Sequence, residues 1–314
     1  MKILGVSFFL TLLAFSGCSQ AQEPPKQIVS FVSGTRIKLL PPANFTPATQ
    51  FPGYQLESHN SSIMVTEIPA PFAETTAGFS NSSELSKRNM SVVDKQEVKV
   101  DGQNGLLLKV EQTAYGINIL KWLLVLGDEK ETAMITAAFP KMHDVELSEK
   151  MKASILTSTW DRKKDVPPAE GLNFTVEEKG ELELSKRVSN SLMFTKNGIF
   201  PSKDVNDPLF IVAQSISKTA IPDNEEYARA RVLQVSQVQD ILIEQSTKIA
   251  IENLNGYEIV ANGKDTKSGQ PMLIYQVMLF AERNYFLMQG LVSNENRQAD
   301  IATFQEMART FKRK

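Results

Sequence analysis

The 314-residue sequence predicts an α+β protein made of two tandem repeats, each an antiparallel sheet flanked by helices. Three observations predict it. An apolar hairpin from Gly105 to Phe139 has a diverged second copy from Gly256 to Val292. An amphipathic helix closes each copy, and a short charged segment with two prolines, 162–170, separates them.

The chain begins with Lys2 and an uncharged apolar run from Ile3 to Phe15, the pattern of a secretory signal and too short to span a bilayer. Phe15-Ser16-Gly17-Cys18 follows and resembles a bacterial lipobox, with Phe15 where Leu is usual. Cys18 is the one cysteine of the chain, so no intramolecular disulfide is expected, and lipid on Cys18 is. Residues 1–17 are then a signal peptide and 18–27, polar with Pro24-Pro25, a lipidated tether. Ser19 after the cysteine resembles the pattern of outer-membrane lipoproteins, facing the periplasm. The alternative is cleavage after Ala21, giving a soluble periplasmic or secreted protein.

Repeat one is expected over 28–161. Arg36 to Leu40 and Ser62 to Ile68 read as strands, the second stopped by Pro69 and Pro71, and Glu74 to Met90 reads as a helix weakened by serines. Lys95 to Val100 then feeds the hairpin strands, and Leu147 to Trp160 closes the repeat. Residues 162–170 are the linker, read as a solvated hinge.

Repeat two is expected over 171–314. Phe194 and Phe200-Pro201 match Phe45 and Phe51-Pro52 at one offset of 149, counted from Phe45 to Phe194. Asp223 is the expected N-cap of a helix from Asn224 to Gln234, followed by a strand from Ile241 to Ile251. Leu120 to Leu126 corresponds to Ile274 to Phe280, and the helix from Ala299 closes on Thr310-Phe311 as its counterpart closes on Thr159-Trp160. Burial of each terminal aromatic is worth about 2–3 kcal/mol.

Several chemistries are excluded or disfavoured. Lys+Arg 34 against Asp+Glu 36 gives a net charge of −2, too little field to gather nucleic acid. The two histidines, His59 and His143, sit in polar loop contexts without a Cys/His cluster, so no metal site is expected and both read as surface residues. No phosphate loop or nucleophile elbow is present, so no catalytic residue, no cofactor and no enzyme activity are expected. Trp122 in the most apolar strand, with Lys121 beside it, is a possible contact for a partner, although core packing of Trp122 is the favoured role.

The order of entry strand, proline-rich loop, helix, four apolar antiparallel strands and closing helix resembles the PsbP-like α/β/α sandwich, shared with envelope lipoproteins of the DcrB and LpqN kind. The resemblance covers 28–161 and 171–314 and implies a non-catalytic module for docking, assembly or ligand binding. The expected function is a cell-envelope lipoprotein that binds an unidentified envelope protein, attached to the membrane through Cys18. Two alternatives stand beside it. One is a carrier of a small apolar ligand or lipid, with Met272, Met278, Phe280, Phe286 and Met288 lining the pocket. The other is an envelope immunity or inhibitor protein.

Overall fold

The computed structural model describes residues 28–314 except 81, 88, 115, 203, 205, 217 and 219. The expected signal peptide, tether and Cys18 lie outside the described residues.

Strands dominate: 48% of the chain is strand and 19% helix. The first sheet contains Thr46–Pro47, Gly53–Leu56, Ser61–Ile68, Met90–Val100, Gln103–Ala114, Ile117–Gly127 and Thr132–Pro140. The second contains Leu182–Val188, Ser191–Lys196, Leu209–Gln214, Val238–Ile251, Leu254–Asp265, Pro271–Phe280 and Tyr285–Ser293. Each has seven antiparallel strands in the spatial order first, second, third, seventh, sixth, fifth, fourth.

This corrects the expected helix-flanked α+β sandwich. The structure is mostly β, because the strands run longer and the helices shorter than the residue pattern suggested. The segment 74–90 is broken into the six-residue α-helices Phe72–Ala77 and Ser82–Lys87 with the 3-10 turn Gly78–Ser80 between them, and Met90 already starts an 11-residue strand. Serine side chains compete for backbone hydrogen bonds there, which fits a broken helix. Val238–Ile251 extends the fourth strand of the second sheet to 14 residues.

One face of each sheet carries a 13-residue closing helix, Asp144–Leu156 or Arg297–Arg309. Strand alternation assigns the faces. Leu120, Trp122, Leu124 and Leu126 join Leu147, Met151 and Ile155 in one core, whereas Leu123 and Val125 join Leu106, Leu108 and Val110 on the other side. In the second sheet Leu273, Tyr275, Val277 and Leu279 meet Phe304, Met307 and Ala308. Ile274, Met278 and Phe280 turn to the opposite face, under the nine-residue helix Asn224–Val232. Asp223 caps that helix by accepting from the Glu226 N–H at 2.9 Å.

Hydrogen-bond register matches the central strands of the two sheets. Trp122 pairs with Ala137 as Tyr275 pairs with Gly290, and Gly105 pairs with Leu126 as Gly256 pairs with Leu279. The closing helices match through their last turns, where the Thr157 and Thr310 hydroxyls donate to Ser154 O and Met307 O at 2.6 and 2.7 Å. Two expected correspondences fail. Tyr54, not Phe45, occupies the place of Phe194, since Tyr54–Ile63–Ala137 lies across the first sheet as Phe194–Phe210–Gly290 lies across the second. Trp160 lies three residues past Thr157, whereas Phe311 directly follows Thr310.

Small sheets close the ends of each unit. Ser30–Phe31, Ile37–Leu39 and Thr159–Trp160 form one, and Phe174–Thr175 with Lys312–Arg313 forms the other.

Candidate functional site

The two sheets meet through a polar seam. Its buried centre is Gln214, whose amide donates to Gln50 O at 2.8 Å and Thr49 O at 3.4 Å and accepts from the Asn173 N–H at 2.9 Å. Glu57 and Lys218 form an ion pair across the same seam at 2.7 Å. Gln214→Ala leaves the buried Gln50 carbonyl without a partner, worth about 1–3 kcal/mol, and removes the acceptor of the part-buried Asn173 N–H. The expected result is faster tryptic cleavage at Lys163 and Lys164, read by limited proteolysis, while each sheet keeps its own core.

Next to this seam lies a cleft of about 260 Å³ lined by residues of both units, among them Arg36, Glu67, Glu131, Val166 and Arg187. Arg36 directly precedes the central strand of the small sheet, Glu67 is next to last in the third strand of the first sheet and Glu131 directly precedes the seventh. Arg187 comes from the first strand of the second sheet.

The charges inside hold one another. Arg36 binds Glu67 at 2.8 Å and Glu131 at 2.5 Å, and Arg162 binds Glu131 at 2.7 Å and Asp128 at 2.8 Å. Glu67 also accepts from the Trp160 indole N–H at 3.0 Å. The Arg162 guanidinium lies 3.8 Å from the centre of that ring, a cation–π contact. Burial alone would pull the Arg36 guanidinium down, but the Glu131 and Glu67 carboxylates outweigh it and leave it above its usual value. Asp128 is held low by the backbone N–H groups of Lys130 and Glu131.

The expected solvated hinge is therefore a clamp. Besides Arg162, Lys164 donates to Thr35 O at 2.9 Å, and Glu170 accepts from the Gly34 N–H at 3.0 Å. A bare charge run looks solvated in sequence, and only the fold supplies its carboxylates.

Arg187 is different. Its Nε donates to Ser189 O at 2.7 Å and its Nη1 to Pro168 O and Glu170 O, all neutral carbonyls. Its buried Nη2 has no hydrogen-bond partner. Burial pulls this guanidinium down from its ordinary value, partly offset by Glu170 and Glu67. The cleft wall thus contains a charged donor, Arg187 Nη2, that is buried without an acceptor.

Residues singled out in the sequence lie elsewhere. Trp122 is 4% exposed in the first core, with its indole N–H donating to Ser148 Oγ at 3.1 Å and the Lys152 ammonium 4.7 Å from the ring centre. Lys121 points to the opposite side of its strand and donates to Gln112 at 2.6 Å, with its pKa lowered by burial. The residues proposed to line an apolar pocket are split between the sheet's two faces. Phe286 and Met288 lie on the closing-helix side, and Met272, Met278 and Phe280 lie on the other. They cannot surround one ligand. The two histidines, expected as separate surface residues, are brought together beside Glu146. Sequence spacing gave no sign of this, because they arrive on different elements.

No family model and no curated protein matches the chain. Among solved structures, the immunity protein TplEi of T6SS from Pseudomonas aeruginosa is 12% identical with a TM-score of 0.34, covering 91% of this chain and 97% of that one. A structure of the Tle4-Tli4 complex is 12% identical with a TM-score of 0.32, covering 93% of this chain and 98% of the other. A Pseudomonas aeruginosa protein of unknown function, described as a putative regulator, has 12% identity and a TM-score of 0.31 over 44% of this chain and 95% of its own. Superpositions of this quality place no constraint on function. Among the described residues no helix is long and apolar enough to cross a membrane.

Proposed function

We propose that the chain is a cell-envelope protein whose ligand is another protein, and that within this class it acts as an inhibitor or immunity protein held at the membrane through Cys18. The observation that carries the reading is the cleft between the units, with its carboxylates paired to arginines and Arg187 Nη2 in its wall buried without an acceptor. Carboxylates bound by guanidinium groups are poor proton acceptors, which suits recognition better than acid–base turnover. A buried donor lacking an acceptor suits a main-chain carbonyl or a terminal carboxylate of a protein segment. The carrier reading loses support, since its pocket residues face opposite sides of one sheet. The immunity proteins among the structural neighbours span a similar length, but the reading does not rest on them.

The test is photo-crosslinking in cells with benzoylphenylalanine at Val166, on the cleft, or at Leu242, exposed on the far edge strand. A discrete protein adduct from Val166, absent from Leu242 and lost with Arg187→Ala, is the expected result. An adduct formed equally from both positions, or one indifferent to Arg187, overturns the reading. The inhibitor form further expects the captured protein to harm growth when produced without this chain.

A further inference from the structure

The chain contains two histidines, and the fold places both in one cluster. His59 ends the 3-10 turn Glu57–His59, which the left-handed Asn60 (φ 47°) terminates. His143 ends the turn Lys141–His143, directly before the closing helix of the first unit, and Glu146 stands in that helix's first turn. The imidazole rings are 4.5 Å apart between centres and tilted by 53°. His59 Nε2 lies 3.4 Å from a Glu146 carboxylate oxygen, and one ligand atom from each of the three residues falls within 4.8 Å of the others.

These separations have a chemical meaning. Two ligand atoms each ~2.0–2.1 Å from a tetrahedral zinc ion stand about 3.3 Å from each other. The His59–Glu146 pair already has that spacing, and His143 needs only a side-chain adjustment to reach it. Ser58 Oγ lies 2.8 Å from His59 Nδ1. With Nδ1–H donating to that hydroxyl, the Nε2 lone pair points to the cluster, the supporting hydrogen bond that metal-binding histidines commonly have. Cations close in sequence or space are already engaged: Lys141 pairs with Glu111 at 2.6 Å, and Lys109 with Asp144 at 3.3 Å. Glu146 is half exposed, so solvent reaches the cluster and can supply a fourth ligand.

We propose that His59, His143 and Glu146 bind one divalent transition-metal ion of the zinc class, with water completing a tetrahedral shell. Bound metal ties the Glu57–His59 turn to the closing helix. The same turn carries Glu57, which reaches Lys218 of the second unit, so the metal stiffens one wall of the seam between the units.

The test uses the full chain without a polyhistidine tag, stripped with chelator and titrated with zinc chloride by calorimetry. One saturable equivalent is expected, weakened at least ~100-fold by His59→Gln or His143→Gln and ~10-fold or more by Glu146→Gln, while Glu149→Gln on the same helix leaves it unchanged. A second measurement needs no variant. With two histidines in the chain, nitrogen-15 spectra contain two imidazole spin systems, and both must shift with the first equivalent of zinc. Movement of one ring or neither, absence of saturable binding, or binding that survives both histidine substitutions overturns the proposal.

Discussion

Gly256→Ala is expected to cost about 3 kcal/mol or more. A Cβ at Gly256 comes 1.9 Å from the Met278 carbonyl oxygen, 2.9 Å from its carbon and 3.0 Å from Leu279 Cα. All three are backbone atoms of the neighbouring strand, so no side-chain rotation relieves the contact and the strands must part. Gly105 holds the equivalent place in the first sheet, but a Cβ there meets Leu126 Cδ2 at 2.6 Å and Val125 O at 2.9 Å. A leucine methyl can move and a carbonyl 2.9 Å away needs only a small shift. Gly105→Ala should therefore cost distinctly less, and urea midpoints of the two variants measure the difference. Equal midpoints would contradict the account.

The second large effect is a size exchange between the repeats. Phe304 is the eighth residue of its closing helix as Met151 is of the other, and Gly290 stands where the first sheet has Ala137. A Cβ at Gly290 meets Phe304 ring carbons at 2.6, 2.6 and 2.8 Å. The ring cannot retreat, because Phe210 and Tyr275 stack on it at 5.5 and 5.9 Å. Gly290→Ala alone is expected to cost about 2–3 kcal/mol. Phe304→Met alone leaves unfilled volume and costs about 1–2 kcal/mol. Together they recreate the Ala137 and Met151 pairing, and the double variant should be more stable than the sum of the two losses by about 0.5–3 kcal/mol. Strict additivity in denaturant melts would refute the exchange.

The parts of the fold visible in the sequence were those written in local chemistry. Gly105 and Gly256 marked matching strands, each as the third residue rather than the first, the apolar runs after them alternated between two cores, and Asp223 stood ready to cap a helix. Helix content was overread where serines broke the segment 74–90. The equivalence of Phe45 with Phe194 was a coincidence of spacing, because loops of unequal length shift the register between entry strands. The cleft was not visible at all. Arg36, Glu67, Glu131, Arg162 and Arg187 lie on five separate segments, and a charge in a sequence reads as solvated until the fold provides its partner. The histidine cluster was hidden for the same reason, since His59 and His143 join only after the strands between them have paired.

The small sheets that close each unit also gather the chain's loose ends. Lys38 pairs with Thr159, the Lys314 N–H donates to Asn173 O at 3.0 Å, and the Lys314 ammonium donates to Ala169 O at 3.0 Å. An early short strand of each unit thus pairs with its last one beside the linker. The Lys314 ammonium thereby sits against the residue that follows Pro168 of the cleft wall, so bulk added there would disturb the linker. An internal insertion at the turn Thr266–Gly269, between two long strands of the second sheet, is the better position for a label.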